Sequence, residues 1–287
     1  MKHFSEFCAD DLAALAQADV ARALDEDLGA GDLTAGLVGP EVQAQARIIA
    51  RESAVVCGRP WVDATFAALV PGVEVNWHID EGQACEADQL VLTLDGPARG
   101  LLSAERTALN FLQTLSAVAT QTARYVRAVE GTRAAIVDTR KTIPGLRLAQ
   151  KYAVQMGGGV NHRIGLYDAV LIKENHIAAA GGVAAVLAAV AQQAPRARFV
   201  EIEVETLAEL AEALDCGATM VLLDNMPLDD LRAAVQLNAG RAVLEISGGV
   251  NMESVRQLAE TGVDRISIGA LTKDLKAVDY SMRLTTQ

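Results

Sequence analysis

The chain has 287 residues, 51% of them hydrophobic and 22% charged, which is the composition of a folded globular protein and excludes a disordered, collagen-like or low-complexity chain. The net charge of −12 makes nucleic acid and anionic membranes poor partners, and an aromatic content of 4% is thin for stacking single-stranded bases. At about 150 residues per domain the length suggests two domains.

The segment Met1 to Leu15 meets acidic residues before any apolar run forms, so no signal peptide is expected. The longest apolar stretch, Val183 to Ala191, falls far short of the ~18 residues that a membrane helix needs. Cys8, Cys57, Cys85 and Cys216 form no C-x-x-C pattern and read as buried small apolar residues in a reducing compartment, which points to the cytoplasm.

Along the chain, Ala18–Asp27 predicts a helix ending at the turn cluster Gly29-Ala30-Gly31-Asp32. Gln43–Val56, Val73–Ile79 and Gln89–Leu94 read as strands. Together they predict an N-terminal α+β domain, residues 1–112, on an antiparallel sheet. Ser103 is a candidate N-cap for a long helix reaching about Val129, with Leu109, Leu112, Leu115 and Val118 at helical spacing.

After Gly131 strands and helices alternate. The strands are Ala134–Thr139, Asp168–Lys173, Phe199–Val204, Thr219–Asp224, Ala242–Ser247 and Asp264–Ile268. Helical segments include Val183–Gln193, Leu207–Leu214, Leu228–Leu237 and Met252–Glu260. Such alternation predicts parallel strands buried on both faces. No G-x-G-x-x-G follows the first strand, and nearly every strand ends in polar or charged residues. Residues at C-terminal strand ends converge on one mouth of an α/β barrel, so a barrel over residues 113–270 is expected. Six strands leave two options, an incomplete barrel or one closed by the long helix and an unrecognised strand.

From Arg133 to His176 seven Lys/Arg face three Asp/Glu, while the rest of the chain carries 18 against 34. The island holds Arg140, Lys141, Arg147, Lys151, His162, Arg163 and Lys173. Arg presents a planar fork for carboxylate or phosphate, and Lys a compact charge. Thr139-Arg140-Lys141 sits at one strand end, where alternation lets Arg140 and Lys141 serve different anions. Gly157-Gly158-Gly159 precedes Val160-Asn161-His162-Arg163 in a segment that admits φ > 0. Lys173 ends an apolar strand, where an unpaired ammonium is costly.

Glu203 and Asp224, at neighbouring strand ends, suit ribose hydroxyls, Mg²⁺ or a developing positive charge. Glu201 and Glu205 share the Glu203 face, and depth at the strand end favours Glu203. Ser247-Gly248-Gly249 and Ile268-Gly269-Ala270 end the last two strands, where barrel loops bind phosphate through backbone N–H groups. Arg106 lies in the first turn of the expected long helix, against the helix dipole, which a contacted anion would explain.

The runs Asp138-Thr139-Arg140-Lys141-Thr142-Ile143-Pro144-Gly145, Gly157-Gly158-Gly159-Val160-Asn161-His162-Arg163 and Asp168-Ala169-Val170-Leu171-Ile172-Lys173-Glu174-Asn175-His176 closely resemble the quinolinate phosphoribosyltransferase family. So do Glu26 to Thr34, Ala104 to Asn110, Leu223-Asp224-Asn225-Met226 and Glu245-Ile246-Ser247-Gly248-Gly249. The resemblance runs in order through nearly the whole chain. It implies that quinolinate and 5-phosphoribosyl 1-diphosphate give nicotinate mononucleotide, diphosphate and CO₂ with Mg²⁺. It implies a homodimer in which Arg106 reaches the neighbouring site, and a final segment, 271–287, that returns to the N-terminal domain.

On this resemblance Arg140, Arg163, Lys173 and His162, with the partner's Arg106, take the quinolinate carboxylates, and Lys141 takes the phosphoribosyl diphosphate. Glu203 and Asp224 hold the ribose hydroxyls, and Ser247, Gly248, Gly249 and Gly269 the 5-phosphate. Mg²⁺ rests mainly on diphosphate oxygens, with Glu203 and Asp224 the candidate protein ligands. A same-fold relative associated with molybdenum transport is the nearer alternative, but Lys173 with Asn175-His176 looks more like the quinolinate family. A non-catalytic anion-binding barrel is the other, and it has no need for carboxylates opposite the cations.

Overall fold

The structure is a computed structural model that describes residues 9–194 and 196–286. Cys8 lies outside the described residues. Contacts divide the chain into two compact units. One holds residues up to Ala123, Ile143–Gly158 and the chain from Asp274 onward; the other holds Arg124–Thr142 and Gly159–Lys273.

The first unit opens with α1 (Ala9–Leu28), which starts well before the helix expected at Ala18. Asp32 ties down the turn that follows. Its Oδ1 accepts the N–H groups of Thr34 and Ala35 at 2.8 and 2.9 Å, and its Oδ2 accepts the Ser103 hydroxyl at 2.7 Å. These bonds, that from Ala35 foremost, hold the Asp32 carboxyl below its usual range.

The strand expected over Gln43–Val56 is two, β1 (Gln43–Ala50) and β2 (Ala54–Val55), separated by the polar Arg51-Glu52-Ser53. In β1 the inward Ala44, Ala46, Ile48 and Ala50 are buried, as period two requires. Next come α2 (Arg59–Leu69), unanticipated from the sequence, and β3 (Glu74–Trp77), β4 (Ala84–Cys85) and β5 (Leu90–Pro97). Glu81 accepts the Gly58 and Arg59 N–H groups at 2.8 and 3.1 Å and so closes the start of α2. The last strand of the chain, β12 (Tyr280–Thr286), joins an antiparallel sheet of order β12-β1-β5-β3.

Ser103 is not an N-cap. Helix α3 (Ala98–Ala128) starts directly from β5, with the Ala98 N–H bonded to Val42 O at 2.9 Å and Arg99 Nε to Val38 O at 2.5 Å. Arg106 therefore sits in the third turn, exposed and beyond the N-terminal dipole, so the argument from the first turn fails. Helix α4 (Arg147–Met156) packs within this unit, Tyr152 lying 5.6 Å from the Trp61 ring. At Gly157 a Cβ would stand 2.4 Å from Ala119 O, so only glycine lets the chain pass α3 this closely.

The second unit is built on six parallel strands: β6 (Ala135–Val137), β7 (Val170–Ile172), β8 (Val200–Val204), β9 (Met220–Asp224), β10 (Val243–Ser247) and β11 (Arg265–Ser267). Their order is β6-β11-β10-β9-β8-β7. From β7 to β11 successive strands are neighbours, and β6 pairs with β11, which is barrel order with β6 and β7 at the two open edges. Beside the open edge of β6 lies a single parallel bridge, Val137 to Val160.

The connections carry α5 (Glu174–Ala180), α6 (Val183–Gln193), α7 (Leu207–Asp215), α8 (Leu228–Asn238), α9 (Val255–Ala259) and α10 (Ala270–Lys273). The expected fold class, an incomplete α/β barrel with an α+β region on an antiparallel sheet, is what the structure shows. Cys57 and Cys85 are buried, but Cys216, at the end of α7, is exposed, contrary to the reading of buried cysteines. No single helix among the described residues is long and apolar enough to cross a membrane.

Candidate active site at the strand ends of the barrel unit

Four of the six strand ends carry charged residues singled out from the sequence: Arg140 and Lys141 follow β6, Lys173 follows β7, Glu203 lies on β8 and Asp224 ends β9. On β8, depth orders three acids that shared one face on paper: Glu201 is fully buried, Glu203 half-buried, and Glu205 exposed beyond the strand. Lys173, just after β7, reaches Glu203 with Nζ at 2.8 and 3.1 Å from its two oxygens. His176 caps the start of α5, its Nδ1 accepting the Lys173 N–H at 2.9 Å. Asp224 ends β9 in register with Ser247 of β10.

Asn225, in a left-handed conformation at φ 53°, donates its side-chain amide to Asp224 at 2.8 Å and its N–H to Ser247 O at 3.2 Å. Gly248 (φ 96°) lies so close that a Cβ would stand 2.1 Å from Asn225 Oδ1, so glycine is obligatory there. At the end of β11, Gly269 leaves room for Lys141, whose Cδ would be 2.9 Å from an added Cβ. Thr139 Oγ1 accepts the Lys141 N–H at 3.0 Å, and Thr272 donates its hydroxyl to Lys141 O at 2.8 Å.

Arg163 is buried, and burial followed by the neighbouring Arg140 guanidinium lowers its pKa. The Arg140 Nε is buried with no hydrogen-bond acceptor. A buried guanidinium beside a second cation, and a buried Arg140 Nε with no acceptor, are the donors that an anion would satisfy.

Beneath them Asp138, fully buried, accepts the His162 N–H at 2.8 Å and the Asn161 amide at 2.7 Å. His162 is buried with both ring nitrogens engaged: Nδ1 accepts the Arg163 N–H at 2.8 Å, and Nε2 is 2.8 Å from Glu201 Oε2. His162 thus turns its ring nitrogens to the Arg163 main chain and to Glu201. Burial pushes the Glu201 carboxyl up to about 7, against the opposing pull of Arg265 and Arg163. Glu245, on β10, accepts Arg265 Nε at 2.7 Å.

The structure divides the cationic set. Arg140, Lys141, His162, Arg163 and Lys173 belong to the barrel unit with Glu203, Asp224, Ser247, Gly248, Gly249, Ile268, Gly269 and Ala270. Arg147 and the fully buried Lys151 lie on α4 in the first unit, as does Arg106 on α3. Sequence reading missed the parts played by Asp138, Asn225, Glu245 and Arg265. Glu245 and Arg265 did leave a signal, as charged residues inside apolar strands.

The fold and this rim define a class, an α/β-barrel protein whose strand ends set a cationic anion site against a pair of carboxylates. The comparisons identify which. Residues 32–116 match the model of the quinolinate phosphoribosyl transferase N-terminal domain, and residues 118–283 that of the C-terminal domain. The chain belongs to the quinolinate phosphoribosyltransferase family.

It is 40% identical over 260 residues to the probable nicotinate-nucleotide pyrophosphorylase (carboxylating) of Bacillus subtilis, covering 91% of this chain and 90% of that one. It is 42% identical over 275 residues to the nicotinate-nucleotide pyrophosphorylase (carboxylating) of Mycobacterium leprae, with 92% and 95% covered. The solved structure of the nicotinate-nucleotide pyrophosphorylase from Francisella tularensis superposes with a TM-score of 0.94 at 39% identity, covering 99% of this chain and all of that one.

Proposed function

We propose that the chain transfers the phosphoribosyl group of 5-phosphoribosyl 1-diphosphate to quinolinate with decarboxylation, giving nicotinate mononucleotide, diphosphate and CO₂. The observation that carries the reading is the crowding of Arg140 and Arg163 in the unit where Lys173 meets Glu203 and where Asp224 ends the next strand. Quinolinate brings two adjacent carboxylates. The two guanidinium forks and the Lys173 ammonium match them, and the repulsion among these cations is relieved when the dianion binds.

Thr139 and Lys141 meet the diphosphate end of the second substrate. Ser247-Gly248-Gly249 and Ile268-Gly269-Ala270 take its 5-phosphate on backbone N–H groups. Glu203 and Asp224 hold the ribose hydroxyls and stabilise the positive charge that develops at the anomeric carbon as diphosphate leaves. As the bond to diphosphate breaks, the ring nitrogen forms the new bond and becomes positive. When the neighbouring carboxylate departs as CO₂, the electron pair left on that ring carbon is stabilised by the adjacent positive nitrogen and takes up a proton from water, giving nicotinate mononucleotide.

Glu203 and Asp224 are hard oxygen donors of the kind Mg²⁺ takes, and the Lys173 contact to Glu203 fits an ion held chiefly by substrate oxygens. When bound, Mg²⁺ would supply charge neutralisation on the leaving diphosphate. The reading extends to a cytoplasmic homodimer in which the exposed Arg106 of each copy completes the site of the other.

The test incubates the protein with quinolinate labelled in its 2-carboxylate, 5-phosphoribosyl 1-diphosphate and Mg²⁺. Labelled CO₂ and nicotinate mononucleotide should appear in equal amounts, and nicotinate should not replace quinolinate. No CO₂ above background refutes the assignment.

A further inference from the structure

The cluster of His162, Glu201 and Glu245 lies under the proposed substrate site, deep in the barrel unit, and all three residues are buried. Its ligand atoms lie within 4.8 Å of one another, the spacing of a cation site. The hydrogen bonds argue against that use. Nδ1 of His162 accepts the Arg163 N–H at 2.8 Å, so it carries no proton. The proton of the neutral ring is then on Nε2, the one nitrogen aimed at the acids, and it donates to Glu201 Oε2 at 2.8 Å. A metal at Nε2 would need an imidazolate, and Arg265, 2.7 Å from Glu245, already supplies a cation.

The same bonds form a directed chain. Glu201 is fully buried and receives the Nε2 proton. That fixes the tautomer of His162, so Nδ1 is an acceptor and engages the main chain at Arg163. The His162 N–H is itself held by Asp138 at 2.8 Å, and Phe199 stands edge-on to the imidazole at 5.2 Å and 83°. Glu245 approaches the same Nε2 at 3.5 Å and is oriented in turn by Arg265. The ring is thereby held at both nitrogens, and the main chain is tied at the Arg163 N–H and, one residue earlier, at the His162 N–H.

We infer that Glu201 is a positioning residue for quinolinate binding, acting through the His162 tautomer to hold the Arg163 main chain and aim its guanidinium. The role rests on the proposed activity but makes a separate statement about a proton. Glu201 never touches substrate. Its effect runs through Arg163 to the carboxylate-binding half of the site, so the phosphoribosyl diphosphate half, assigned to Thr139, Lys141, Glu203, Asp224 and the ends of β10 and β11, should not respond.

The test uses the full chain with Glu201→Gln and Glu201→Leu. Gln keeps an acceptor for the Nε2 proton and Leu does not. A misaimed binding group costs about 10- to 100-fold, so Glu201→Leu should raise the KM for quinolinate by that factor. Its KM for 5-phosphoribosyl 1-diphosphate should stay within about twofold, and Glu201→Gln should hold both constants near wild type. Nitrogen-15 NMR of the wild-type histidines, with His162 assigned by His162→Gln, should show protonated Nε2 and bare Nδ1, and Glu201→Gln should preserve that pattern.

A wild-type ring protonated on Nδ1 overturns the inference, as does an unchanged quinolinate KM in a folded Glu201→Leu. Equal rises in both KM values also overturn it, because they mark a general structural loss. If Glu201→Leu does not fold, the wild-type tautomer and the Glu201→Gln constants decide. If the wild type releases no CO₂, the proposed activity fails on its own, while the NMR result still judges the proton assignment.

Discussion

Replacing Lys173 by Met keeps the aliphatic stem and removes the ammonium. In the structure that ammonium bridges both oxygens of Glu203, with the Lys173 side chain 49% exposed and that of Glu203 14%. A half-exposed pair contributes about 0.2–1 kcal/mol, because water screens the lysine end and holding the side chain costs entropy. The Glu203 carboxylate then stands without its cation, yet water can follow the vacated path, so the fold should lose about 1 kcal/mol. For domains of this size that is about 2–4 °C in Tm.

The effect on activity is larger. A charge-assisted bond to a substrate carboxylate contributes about 1.5–3 kcal/mol, or roughly 10- to 150-fold in kcat/KM. Substrate must first displace Glu203 from Lys173, which pulls the figure toward the lower end. Initial rates of CO₂ release against quinolinate concentration, with a thermal melt of the same samples, read both quantities. Lys173→Met with Glu203→Gln should restore Tm without restoring activity. A KM within twofold of wild type, or a Tm loss above about 10 °C, would show that Lys173 serves the fold and not the substrate.

Gly248→Ala forces a Cβ into Asn225 at a backbone angle that L residues avoid, so the KM for 5-phosphoribosyl 1-diphosphate should rise about tenfold or more while quinolinate affinity is kept; the reverse pattern would move the phosphate site elsewhere. Glu81 is pushed up by burial, against the bonds it accepts from Gly58 and Arg59, so the folded chain holds its proton more tightly than the unfolded chain. Its stabilisation is full below the ordinary carboxylate range and is lost as pH rises through the folded value, so Glu81→Gln should flatten the fall of Tm over that window; an unchanged slope in differential scanning calorimetry would exclude Glu81 as its source. Arg106→Ala and Lys173→Met, assayed at subsaturating quinolinate where each alone is impaired about tenfold or more, should on mixing rise to about a quarter of wild-type activity, the statistical share of intact sites in hybrid dimers. No recovery, despite subunit exchange confirmed by mass spectrometry, counts against a shared site.

Hydrophobic period made much of the fold legible. The buried strands of the barrel unit and helices α6 to α8 follow from runs whose apolar spacing admits one structure each, and their bounds agree within a residue or two. The type of residue placed at the strand ends also announced an anion site, because charges at the ends of apolar strands have few other uses. What sequence could not supply was depth and partnership. Glu201, Glu203 and Glu205 are equivalent by period, and only the tertiary structure makes one fully buried, one half-buried and one exposed.

Ser103 had the chemistry of an N-cap, yet the helix started earlier because Ala98 and Arg99 found acceptors across the chain at Val42 and Val38. His162 carried the chemistry of an anion ligand, and only the tertiary structure shows that groups distant in sequence, Asp138 and Glu201, hold its main chain and its ring. Arg147 and Lys151 joined the cationic set by proximity along the chain, and the folded chain places them on α4 in the first unit. Local spacing and composition act through the nearest few residues, so they determined the elements and the kind of chemistry at the strand ends. Burial and hydrogen bonding depend on segments far apart in sequence, so only the folded chain decided which side chains face a substrate and which hold the others in place.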